Sequence, residues 1–103
     1  MHLKLSELPG RPVLDANGTV IGDIKAPLVD METWLVDTLR ITVRRRAARE
    51  MALTWSFFSR PTIDVPTGLI HAAGDAIILR VSMAELRDQA PGSVPDERLA
   101  PIH

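Results

Sequence analysis

The chain contains no cysteine. That excludes disulfides, a thiolate zinc site, an iron–sulfur cluster and a cysteine nucleophile. No apolar run approaches the ~18 residues that a membrane-spanning helix needs, so no membrane span is expected. Residues 1–20 show no basic start followed by an apolar stretch, so no secretory signal is expected and the compartment read from the sequence is cytoplasmic. Lysine is scarce, with two residues against ten arginines. The formal net charge of −1 lacks the footprint of a bulk polyanion binder.

What is present is a 103-residue chain that is 46% hydrophobic. A chain of that size forms one domain and buries roughly 65% of the surface its unfolded form exposes. Turn-forming residues are dense: Pro9, Gly10, Pro12, Asn17, Gly18, Gly22, Pro27, Pro61, Pro66, Gly68, Gly74 and Pro91 leave room only for short elements. Asp15-Ala16-Asn17-Gly18 predicts a tight hairpin turn between Val13-Leu14 and a strand over 19–29. In that strand Val20, Gly22, Ile24, Ala26 and Leu28 share a face, with Ile21 the exception on the other. Gly22 would let another backbone approach closely, and Pro27 demands a bend or a strand edge.

A second strand is predicted over 34–45 after the turn Asp30–Thr33. Leu35, Leu39, Ile41 and Val43 share one face, interrupted by Asp37; Trp34, Val36, Thr38 and Arg40 lie opposite. If the Asp37 face is buried, the carboxylate needs a partner such as Arg40, Arg60 or Arg80; otherwise the strand is exposed or bulged there. Residues 44–58 read first as strand, turn and strand, with one helical turn over 45–52 as the competitor, since Ala and Arg favour helix. Ile63 and Val65 predict a short strand, 66–75 an irregular connection, and 76–81 a core strand. Ser82 with Glu85 forms a capping box that starts a short helix over 83–89. The expected architecture is all-β: six short strands closed as a small barrel, with a short C-terminal helix. The domain is expected over 5–88, followed by a flexible Pro-rich tail over 89–103.

The order of these elements carries a resemblance. Leu8-Pro9-Gly10-Arg11-Pro12-Val13 precedes Asp15-Ala16-Asn17-Gly18 and Ile21-Gly22-Asp23-Ile24. Val29-Asp30, Trp34-Leu35-Val36, Val65-Pro66 and Gly74-Asp75-Ala76-Ile77-Ile78-Leu79 follow. Over residues 5–88 this resembles the PRC-barrel family. That fold occurs in the H subunit of the photosynthetic reaction centre, in the C-terminal domain of a bacterial ribosome-maturation factor and in stand-alone small prokaryotic proteins. The resemblance implies a six-stranded PRC-type β-barrel and transfers no catalytic residues. Residues 44–60 depart from the pattern.

No reactive constellation is legible. His2, His71 and His103 have no ligand spacing. His71 with Asp75 is the one conceivable metal pair, against a hydrogen-bonded loop histidine. No serine lies in a nucleophile-elbow context, and Gly18 and Gly22 miss the phosphate-loop spacing. The reading is therefore not an enzyme, with no catalytic, cofactor or metal residues and no small-molecule substrate.

Two interaction surfaces are expected instead. Trp34, Val36 and Phe58 fall outside the core pattern, and together with Trp55, which alternates with Met51, Leu53 and Phe57 on the core face of its segment, they form a candidate interface for a homodimer or for another protein partner. Arg44, Arg45, Arg46 and Arg49 form a basic segment whose guanidinium groups suit RNA phosphates, by analogy with the ribosome-maturation domain, against a merely solvated turn. A non-catalytic interaction or scaffolding module is the first reading, an RNA- or ribosome-associated module the second. A ligand-binding or hydrolytic protein is a poor third.

Overall fold

The computed structural model describes residues 3–53 and 60–89. The chain enters through a 3-10 turn at Leu5–Glu7. Six strands follow: β1 (Pro12–Leu14), β2 (Val20–Asp30), β3 (Leu35–Val43), β4 (Thr62–Pro66), β5 (Ile70–Ala73) and β6 (Ile77–Leu79). Helix α1 (Arg45–Glu50) lies between β3 and β4, and α2 (Met83–Gln89) follows β6. The strands form one mixed sheet in the order β4-β3-β2-β1-β6-β5, with only the β1–β6 pair parallel. The protein is thus predominantly β with short helices.

The sheet cannot be flat. Its two edge strands, β4 and β5, are joined only by the 3-10 turn Thr67–Leu69. Pro66 and Ile70 can therefore lie no more than about 14 Å apart, whereas five strand spacings in a flat sheet total about 24 Å. The sheet curls to bring these edges together, although among the described residues no ladder joins them. Its concave side holds the core, including Val13, Ile21, Ile24, Ile41, Val43 and Ile63.

Local chemistry explains most of the elements. Loop 15–19 is built by Asp15: its Oδ1 accepts the N–H groups of Asn17 and Thr19, both at 2.9 Å. Gly18 donates to the Asp15 carbonyl and takes a left-handed φ of 84°, which glycine tolerates without a Cβ clash. Asn17 is not left-handed, so this is a type I turn closed by glycine and not the two-residue turn expected. Gly22 sits against β3, where any Cβ would collide with the Thr42 carbonyl oxygen. The capping box forms reciprocally, Glu85 N–H to Ser82 Oγ at 3.2 Å and Ser82 N–H to Glu85 Oε1 at 2.9 Å.

Bulges correct the expected faces. Between Val13 and Leu14 the register with β2 slips, leaving Ile21 unpaired and turned into the core. A second slip places Lys25 as an extra residue on β2. A third places Asp37 as an extra residue on β3, where it is exposed and needs no buried partner. Shifting the register by one residue exchanges the faces. Val36, expected outward, is half-buried against the core, and Leu35, expected inward, is 65% exposed.

Two element assignments differ from the sequence reading. Residues 45–50 form a helix, so the strand–turn–strand over 44–58 gives way to its helical competitor. Ala47 and Ala48 pack in the core, and the best helix former supplies the buried face. Met51–Leu53 is not strand, and Thr54–Ser59 lies outside the described residues. The segment 66–75, expected to be irregular, contains β5, which pairs with β6 through Ile70↔Leu79 and Ala73↔Ile77. Six strands are present among the described residues, one of them, β5, unexpected; the strand predicted over 51–58 lies for the most part outside those residues. Of the expected tail, residues 90–103 lie outside the described residues.

Candidate functional site

The β2–β3 hairpin outruns its neighbours. Backbone hydrogen bonds tie β2 to the β1 side only as far as Ile24, and β4 accompanies β3 only from Val43 to Thr38. Residues 25–37 therefore form a two-stranded arm. Pro27, which has no N–H to donate, falls in this one-sided stretch, as its chemistry requires.

At the tip, Trp34 N–H donates to the Asp30 carbonyl at 2.7 Å and Glu32 N–H donates to Asp30 Oδ1 at 2.8 Å. These bonds close a four-residue loop between the paired residues Asp30 and Leu35. Trp34 completes the loop in the left-handed region, with φ of 61°. That region costs an L-residue about 1–2 kcal/mol, because Cβ crowds the backbone. The side chain so placed is 70% exposed, beside Met31 at 66% and Leu35 at 65%. Glu32 and Asp37 are exposed on the same arm.

The arginine run divides. Arg44 follows β3 at the N-cap of α1 and forms a two-pronged pair with Asp23, Nη2 to Oδ1 at 3.0 Å and Nε to Oδ2 at 3.3 Å. Arg40 pairs likewise with Asp64, directly opposite on β4. In both cases the side-chain hydrogen bond, then the carboxylate charge, raises the guanidinium pKa above its ordinary value. A raised pKa in the folded state means a contribution present below the ordinary arginine range and lost only as pH rises beyond it. Both guanidinium groups thus stay charged across physiological pH, and each pair, being exposed to solvent, contributes under about 1 kcal/mol. Arg45, Arg46 and Arg49 project from α1, exposed, with no ion pair or side-chain hydrogen bond among the described residues.

Among the described residues, the structure keeps Trp34 of the expected interface apart from the arginines of α1. Leu35 and Val43 mark opposite ends of β3, eight residues or roughly 26 Å apart. Trp34 stands at one end of the hairpin and α1 at the other. Trp55 and Phe58 lie outside the described residues.

Asp15 is a functional-looking residue with a structural task. It is the one buried charged side chain among the described residues. Besides its loop bonds, its Oδ2 accepts Met83 N–H at 3.0 Å and so holds the start of α2. The turn pattern revealed the first role; nothing local revealed the second, 68 residues away. His71 lies exposed on β5. Among the described residues no group of three or more His, Asp or Glu is placed to hold a metal ion. A shallow pocket of about 330 Å³ is lined by Leu3, Arg11, Ala73, Gly74 and Asp75, and the Arg11 guanidinium there donates to the carbonyls of Glu7 and Gly74. No helix among the described residues is long and apolar enough to cross a membrane. No protein-family model matches the chain, and no curated protein is similar to it at a significant level.

Proposed function

We propose that this chain is a non-catalytic, cytoplasmic interaction module that associates with itself through the β2–β3 arm. Its scaffold is a PRC-type barrel, closed by the approach of β4 and β5 through the turn Thr67–Leu69. The order of turns and core positions and the curl of the sheet support that scaffold. The observation that carries the function is Trp34. A large aromatic held in a left-handed conformation and exposed to water is costly twice over, in backbone strain and in unburied apolar surface. Strain of this kind is retained where a side chain must be presented, and tryptophan is enriched among residues that anchor interfaces. Met31 and Leu35 extend the patch.

Sedimentation equilibrium over a wide concentration range tests the proposal. The wild type forms a dimer, and Trp34→Ala weakens it by about tenfold or more while the fold is retained. A wild-type mass that stays monomeric at every concentration would overturn it. A second reading, RNA contact, is favoured by the three exposed arginines of α1. Replacing Arg45, Arg46 and Arg49 by Ala and measuring retention of a mixed RNA pool decides that reading.

A further inference from the structure

We infer the mode of this self-association, an inference that rests on the proposed dimer: the acid-flanked tip of each copy docks on the arginine face of α1 in the other. The balance of unpaired charge at the two ends of the β2–β3 hairpin points to it, with Lys25 on β2 and Glu50 on α1 the exposed charges of opposite sign. Asp23 and Asp64 are taken by Arg44 and Arg40, and Asp15 is consumed by backbone donors. Arg11 and Arg80 donate to backbone carbonyls. The exposed acids Glu32 and Asp37 stand beside Trp34 at one end of the hairpin, and the exposed arginines 45, 46 and 49 stand at the other. Within one chain these complementary surfaces are separated by the length of β3 and cannot meet.

A two-fold axis across the middle of the hairpin joins them. It runs the hairpins of the two copies antiparallel, so each tip arrives at the α1 end of its partner. Any contact made once is then made twice, as an isologous interface requires. The one-sided stretch of β2 beyond Ile24 leaves the approach open. Glu32 and Asp37 meet guanidinium groups, and the Trp34 ring offers its face to one of them, an arrangement favoured by the ring quadrupole.

Charge exchange tests this mode separately from dimerisation itself. One variant carries Arg45→Glu and Arg46→Glu, and glutamate in the first turn of a helix is compatible with its dipole. The other carries Glu32→Lys and Asp37→Lys; the tip loop is closed by the Glu32 backbone N–H and by Trp34, not by either side chain exchanged. Each variant alone is expected to dimerise at least about tenfold more weakly than wild type, because like charges then face each other twice. An equimolar mixture is expected to recover wild-type association, since both contacts of the mixed dimer are again complementary. Circular dichroism confirms that each variant is folded, and Arg45→Ala/Arg46→Ala replaces the first if it is not, with a smaller loss expected. A wild-type dimer that both variants leave unchanged, or that the mixture fails to recover, overturns this mode while the self-association stands. A monomeric wild type overturns both. RNA retention that depends on Arg45 and Arg46, with dimerisation untouched by them, also overturns the mode.

Discussion

Asp15 shows how much one side chain can organise. A carboxylate taken fully out of water survives only if its oxygens are met by donors. Three backbone N–H groups meet it, two from its own loop and one from Met83. Asp15→Ala leaves those donors unpaired and detaches α2 from the loop. We expect a loss of about 3 kcal/mol in urea unfolding, from hydrogen bonds to a charged group worth about 1.5–3 kcal/mol each less what water regains. Asp15→Asn separates the two roles: its oxygen can keep the loop bonds, but its amide then faces the Met83 N–H. It should therefore lose the α2 attachment alone, seen as faster amide exchange in 83–89. The loop was legible from Asp15-Ala16-Asn17-Gly18, because a turn is written in adjacent residues. The grip on α2 was not, because it depends on how the curled sheet returns residue 83 to residue 15.

At the scale of elements, the two non-glycine residues with left-handed backbone among the described residues can be compared directly. Ala52 ends α1 in a Schellman arrangement: Leu53 N–H returns to the Ala48 carbonyl at 2.8 Å, and Ala52 N–H to that of Arg49 at 3.1 Å. Glycine is the residue that geometry prefers, so Ala52→Gly should raise stability by about 1 kcal/mol and leave association unchanged. Trp34→Gly relieves the same kind of strain and should also stabilise the monomer in urea unfolding, while abolishing the dimer. A Trp34→Gly variant that kept full association would remove the reason for a strained tryptophan at the tip. The helix itself was half legible: its alanines and arginines favour helix, but six residues cannot hold a helix in water, and burial of Ala47 and Ala48 settles the choice. Strand β5 was not legible, because Ile70-His71-Ala72-Ala73 has neither alternation nor β-branched density, and its extended state comes from pairing with β6.

For the whole molecule, the proposed self-association links to folding in a way that can be measured. A partner that binds only the folded chain adds RT ln(1 + [L]/Kd) to its stability, so the melting temperature must rise with protein concentration. Wild type should show that dependence in a thermal melt monitored by circular dichroism. Trp34→Ala should show that dependence only at correspondingly higher protein concentration. A wild-type melt that stays fixed over a wide range of concentration would contradict the dimer by a route independent of mass. The arm proposed to carry the contact has strand support only within itself, and its apolar tip residues Met31, Trp34 and Leu35 are exposed.

The sequence alone determined whatever depends on near neighbours or on composition. It excluded thiol chemistry, placed the turn at Gly18, allowed a close approach at Gly22, started α2 at Ser82 and made the chain mainly β. Tertiary structure decided what depends on register and return. The bulge at Asp37 turned Val36 inward and Leu35 outward, and the short link between β4 and β5 curled the sheet. The length of the β2–β3 hairpin parted the arginines of α1 from Trp34. The physical reason is that a strand's side chains alternate with period two, so one extra residue, set by the partner strand and not by the strand itself, reverses which of them meet water.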